Sequence, residues 1–138
     1  MLVRSCAGGI VFSGEKVLLL QNEKQEWVMP KGVIRDAVDP RAVARGRVLA
    51  EAGVEADIIA GAGDTCYEFY SVTRGRPVCN KIQWYLMEAK AESCCPAAPF
   101  TRAEFLPVEE ALERITYTQD RSLLAVSWEK YRKMDKIL

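Results

Sequence analysis

The segment from Trp27 to Val54 restricts this chain more than any other. Asp39-Pro40 marks a helix start: the aspartate can cap free backbone amides, and proline takes the first helical position, where its missing N–H costs nothing. Gly53 supplies the stop. Between them Ala44, Val48 and Ala52 recur at four-residue spacing and give the helix a narrow buried stripe. Such a helix must pack on something, and the flanks supply strands. Residues 3–12 and 15–21 read as β-strands joined at Ser13-Gly14, a two-residue hairpin signal, with Gly8-Gly9 inside the first. Strands follow at about 54–61, 65–73 and 78–88, with Arg74-Gly75-Arg76-Pro77 as a turn. Ala103-Glu104-Phe105-Leu106 reads as a last short strand. A small helix at about 107–115 begins with Pro107, and a longer one at about 118–134 buries Leu123, Leu124, Ser127, Trp128 and Tyr131. Many strands, one early helix and late helices predict an α/β fold with a mixed central β-sheet sandwiched between helices. Neither a repeat nor a linker divides the 138 residues, so residues 1–138 are expected to form one domain.

Composition removes several function classes. Lysine plus arginine equals aspartate plus glutamate at 19 each, so no net charge favours nucleic acid or a membrane surface. The longest apolar run, Val17-Leu18-Leu19-Leu20, is far below the roughly 20 residues that span a bilayer. With no signal-peptide pattern either, a cytoplasmic location is expected. Cys6, Cys66, Cys79, Cys94 and Cys95 are odd in number and lack C-x-x-C spacing, which reads as reduced thiols rather than a disulfide frame or zinc site. The pair Cys94-Cys95 sits in a loop-like stretch and is a candidate redox-sensitive spot. Histidine is absent, which excludes Ser-His and Cys-His pairs, imidazole bases and His-ligated metals. Gly9 and Gly14 have P-loop spacing, but Glu15 stands where the lysine is needed and a hairpin explains the glycines.

Trp27-Val28-Met29-Pro30-Lys31-Gly32 resembles the W-x-x-P-K-G lead-in to the Nudix box, G-x5-E-x7-R-E-U-x-E-E-x-G-U with U aliphatic. Placing the first box glycine on Gly32 puts the last on Gly53 and the aliphatics on Val48 and Val54 without a gap. Ala7-Gly8-Gly9-Ile10-Val11-Phe12, Leu106-Pro107-Val108-Glu109-Glu110-Ala111 and Tyr117-Thr118-Gln119-Asp120-Arg121 are similar to the family's flanks. The resemblance to the Nudix hydrolases thus spans nearly the whole chain. It implies a Nudix-like α/β/α sandwich and hydrolysis of nucleoside diphosphates linked to another group, dinucleoside polyphosphates among them. It also implies Mg2+ or Mn2+ as cofactor, because residues at i, i+3 and i+4 converge on one helical face and clustered carboxylates suit magnesium.

The residues at those box positions carry different chemistry. The early box glutamate falls on Val38, the arginine on Gly46, and the glutamates of R-E-U-x-E-E on Arg47, Ala50 and Glu51. Only Glu51 keeps its carboxylate. From Lys31 to Gly53 five cations (Lys31, Arg35, Arg41, Arg45, Arg47) face three anions (Asp36, Asp39, Glu51), a net of +2 where a magnesium site needs the opposite sign. Arg47 and Glu51 are an i, i+4 pair able to bridge each other.

Glu51 is therefore the candidate catalytic residue and, with the loop at Gly32, the candidate metal ligand. A solvated or Arg47-paired carboxylate is the simpler reading. Lys31, Arg47 and Lys81 are candidate phosphate contacts, and Tyr67 and Trp84 candidate stacking residues, each weighed against plain surface or core. Asp36, Asp39, Glu68 and Glu104 are the carboxylates that a surviving site would have to borrow; Glu109 and Glu110 suit the start of the helix that Pro107 opens. Two functions follow. One is a pyrophosphohydrolase with weak or lost metal-dependent catalysis; the other is a non-catalytic domain that binds a nucleotide, another phosphorylated small molecule or a protein. A monomer or homodimer fits either.

Overall fold

The computed structural model describes residues 1–135. Its first hairpin follows from alternation. In β1 (Leu2–Ser13) Cys6, Ile10 and Phe12 enter one buried cluster while Ala7 and Val11 enter another, so both faces of the strand are covered. β2 (Lys16–Gln21) returns antiparallel, and the turn residues are Gly14-Glu15 rather than Ser13-Gly14. The shift follows Gly14, whose φ of 58° is a left-handed turn conformation. Two short strands not foreseen, β3 (Trp27–Val28) and β4 (Lys31–Val33), pair with β2 and β1.

α1 (Pro40–Ala52) forms as its punctuation predicts. Asp39 Oδ1 accepts from the Arg41 N–H at 2.9 Å, Gly53 ends the helix at φ 70°, and Ala44, Val48 and Ala52 are its buried residues. The expected strands 54–61 and 65–73 are instead one long strand, β5 (Ala56–Ser71). Irregularities between Ile58 and Ala60 and between Gly61 and Gly63 let the ladder continue through residues 62–64, where a gap between two strands is expected from the sequence. Val72–Gly75 form the turn into β6 (Arg76–Ala89). Arg76 and Pro77 already belong to that strand, opposite Ser71 and Tyr70 of β5, and the β1–β6 pairs begin just after them at Leu2↔Val78. β7 (Arg102–Pro107), α2 (Val108–Arg114) and α3 (Thr118–Asp135) complete the fold.

The seven strands form one mixed sheet in the order β3-β2-β1-β6-β5, with β4 on β1 and β7 on β2. β1 and β6 run parallel at its centre. α1 covers one face over Ala7, Val11 and Met87. α2 and α3 cover the other, where Ala111, Ile115, Leu124 and Tyr131 meet Ile10, Phe12 and Trp84. Gly8 is crowded by its sheet neighbours: an added Cβ would lie 2.6 Å from Trp84 Cζ3 and 2.7 Å from the Pro30 carbonyl oxygen. Among the described residues no helix is long and apolar enough to cross a membrane.

The cysteines depart from expectation. Cys66 and Cys79 are joined as a disulfide across β5 and β6, with Cα atoms 6.5 Å apart. The pairing is created by strand register, which carries no signature in cysteine spacing. Cys6, Cys94 and Cys95 are free thiols.

Candidate functional site

A cleft of about 660 Å³ opens between the β5–β6 ribbon, the β3–β4 corner and the start of α3. Strand alternation supplies one wall: Thr65, Tyr67 and Phe69 on β5 share a face with Asn80 and Ile82 on β6. Phe100 and Tyr117 add aromatic surface, and the Tyr67 and Tyr117 rings meet edge-on at 5.6 Å. Lys24 and Lys31 bring positive charge; Glu26, Glu51 and Asp120 bring carboxyls. The size and the mostly apolar lining with a few convergent polar groups suit a small-molecule ligand.

The C-terminal end of α1 delivers Glu51 to this cleft. Its side chain is only 13% exposed, Oε1 is buried with no hydrogen-bond partner among the described residues, and Arg47 Nη1 lies 3.9 Å from Oε2. Burial raises the carboxyl to about 7, against the pull of Arg47, of Lys31 and of a hydrogen bond from the Lys31 backbone. Arg47 reaches Glu51 by lying across Gly32, where any Cβ would collide with its side chain. Gly32 therefore makes room for the arginine.

The opposite wall is held by a hydrogen-bonded corner. Tyr117 Oη donates to Glu26 Oε2 at 2.7 Å and Asn22 Nδ2 donates to Glu26 Oε1 at 2.9 Å. Those bonds, Asn22 first, hold the Glu26 carboxyl below its ordinary range; the same bond to Glu26, with burial, raises Tyr117. Burial also raises Asp120, opposed by Lys31.

Of the sequence candidates, Glu51, Lys31 and Tyr67 line the cleft together. Arg47 and Gly32 stand behind Glu51. Trp84 does not join them: it is 2% exposed in the core, its Nε1 donating to Thr65 Oγ1 at 2.8 Å. Lys81 alternates with Asn80 and Ile82 and so faces the other side of the sheet. The carboxylates available for borrowing also lie elsewhere. Asp39 caps α1, Glu104 pairs with Arg102 at 2.8 Å, Glu68 is on the far face, and Asp36 is outside the cleft lining. Glu26, Asp120, Phe69 and Phe100 were not anticipated. Phe69 was readable as the i+2 neighbour of Tyr67, whereas Glu26 and Tyr117 meet across 91 residues with no local signal.

Residues 3–126 match the NUDIX domain family. The chain belongs to it. Among solved structures, a NUDIX hydrolase from Nitrosomonas europaea superposes with a TM-score of 0.76 at 15% identity over 96% of this chain and 74% of that one. An Ap4A hydrolase from C. elegans gives 0.73 at 19% identity over 94% and 98%. The NUDIX domain of Shewanella oneidensis NrtR, complexed with ADP ribose, gives 0.76 at 15% identity over 95% and 90%. At such identities these likenesses establish the Nudix fold alone.

Nudix proteins generally work with a divalent metal. The residues at the box helix do not fit one. Magnesium needs several oxygen donors in near-octahedral array. On the relevant face of α1, Glu51 alone offers a carboxylate, raised by burial and paired with a guanidinium that a cation would have to displace.

Proposed function

We propose that this Nudix domain binds a nucleoside diphosphate linked to another group, and that its metal-dependent hydrolysis of such a ligand is strongly impaired. The carrying observation is the Glu51–Arg47 pair at the cleft: one desolvated carboxylate with an arginine where the family pattern has a second acid. In this reading Tyr67, Phe69, Phe100 and Tyr117 supply flat apolar surface for a base, worth roughly 1–3 kcal/mol per stacked base. Lys31 and Lys24 attract the diphosphate. Arg47 completes the positive end when it turns from Glu51 toward phosphate oxygens, since its planar fork matches them. Ap4A, for which the C. elegans hydrolase is named, and ADP ribose, held by the Shewanella oneidensis domain, are of this class. A cytoplasmic setting accompanies the reading.

The test compares the native chain with an Arg47→Glu/Ala50→Glu variant against nucleoside diphosphate derivatives, with and without Mg2+ or Mn2+. The native chain is expected to bind ligand without metal and to hydrolyse it far more slowly than ordinary Nudix hydrolases; the variant is expected to gain metal binding. Native turnover at the ordinary rate, with no gain in the variant, sinks the proposal.

A further inference from the structure

On the sheet face turned away from the cleft, three metal-ligating side chains meet. Tyr67 and Asn80 point into the cleft, so alternation sends Cys66, Glu68 and Cys79 the other way. Glu68 is the direct cross-strand partner of Cys79, and Cys66 lies two residues before it on the same face. The two sulfurs and a Glu68 carboxylate oxygen all lie within 4.8 Å of one another. Cys66 and Glu68 are open to solvent, and Cys79 is 6% exposed. None of the three lines the cleft.

We propose that this trio is a second, thiol-based cation site: in the reduced chain it holds one thiophilic divalent cation of the zinc class, and the disulfide is its closed, oxidised form. Zinc takes thiolate sulfur at about 2.3 Å and carboxylate oxygen at about 2.0–2.2 Å, so donors sharing one ion lie about 4 Å apart. Here the two sulfurs are bonded, and a Glu68 carboxylate oxygen lies within 4.8 Å of both, on two strands locked in register. Reduction separates the sulfurs to that spacing, while the ladder keeps Cys66 and Cys79 from moving apart. Two thiolates and one carboxylate bring three negative charges, which outweigh the single ammonium of Lys81 opposite Cys66. Soft sulfur donors select zinc over magnesium, and the fourth tetrahedral position is left to water. This inference is independent of what the cleft binds.

The chemistry balances. A phosphine and one water reduce the disulfide to two thiols and a phosphine oxide. Zinc then replaces the two thiol protons. Oxidised glutathione reverses the process: it takes two electrons from the zinc-bound thiolates and two protons from water, leaving the disulfide, two reduced glutathiones and free Zn2+.

The experiment reduces the full chain with a phosphine, removes the reagent, and titrates Zn2+ against a chromogenic chelator, with Mg2+ in excess as competitor. One zinc per chain is expected, unaffected by Mg2+ and released by oxidised glutathione. Binding disappears in Cys66→Ser and in Cys79→Ser, and persists in a Cys94→Ser/Cys95→Ser variant. Glu68→Gln, an exposed and conservative change that leaves folding intact, weakens it by about tenfold or more. The proposal is overturned if the reduced native chain takes up no zinc, if the oxidised chain binds it equally well, or if binding follows Cys94 and Cys95. Unchanged affinity in Glu68→Gln removes the carboxylate from the site and overturns the three-donor arrangement even where a cysteine variant fails to fold.

Discussion

Burial and Arg47 pull the Glu51 carboxyl in opposite directions, and burial wins, with the group at about 7 in the folded chain against 4.5 ordinarily. The folded chain thus keeps a proton that the unfolded chain releases as pH rises through 4.5. Its stabilising contribution is complete at lower pH and is lost as pH climbs to about 7. By linkage the loss is about 3 kcal/mol between those limits. Denaturant midpoints measured from pH 4.5 to 8 should fall for the native chain, and Glu51→Gln should flatten that slope. Arg47→Met removes the opposing charge and should shift the decline to higher pH; a midpoint unmoved by it contradicts the pairing. Residue by residue, the box alignment made Glu51, Arg47 and Gly32 legible in the sequence, because one helix and its lead-in fix their relation. Trp84 was misread because strand alternation gives every residue one of two faces, and the face that stacks against a ligand resembles the face that fills the core.

α1 carries its own instructions, and each can be removed. Asp39→Ala deletes the cap to the Arg41 N–H and should cost about 1 kcal/mol. Gly46 is the opposite case. A Cβ there meets nothing within 4 Å, so Gly46→Ala should stabilise the fold by about 0.5–1 kcal/mol with the cleft untouched, as chemical denaturation would show. Gly8 has no such room, since its added Cβ meets backbone as well as Trp84; Gly8→Ala should cost about 1–3 kcal/mol. The helices were legible in the sequence through caps and apolar periodicity, and β1, β2 and β6 through apolar, β-branched and aromatic runs bounded by turn residues. β5 was not read as one strand, because Gly61 and Gly63 look the same whether a strand ends there or bends and continues. β3 and β4 are two and three residues long, too short for any period to register.

Across the whole molecule, β5 and β6 form a long ribbon that supplies one cleft wall on one face and the Cys66–Cys79 bond on the other. The bond closes a segment with a sequence separation of 13 residues, for which the chain-entropy estimate is about 3 kcal/mol. Denaturation of oxidised and reduced protein should differ by about 2–3 kcal/mol, and Cys66→Ser should behave as the reduced form does. Equal midpoints would mean that the ladder alone holds the ribbon. Neither the bond nor the Glu26–Tyr117 corner was legible in the sequence, since each joins residues that only the sheet's register or the chain's return brings together.

The central parallel pair has a further consequence, for synthesis. β1 finds its partner β6 76 positions later, from Leu2↔Val78 to Phe12↔Glu88. At about 5–20 residues per second, a growing chain holds this apolar strand for roughly 4–15 s before its central neighbour exists. In that interval β2 and β4 cover only its other edge, at Phe12–Ser13 and at Cys6–Gly8. A nascent chain halted before Arg76 would thus present one uncovered edge of β1, a ready template for another chain to pair with.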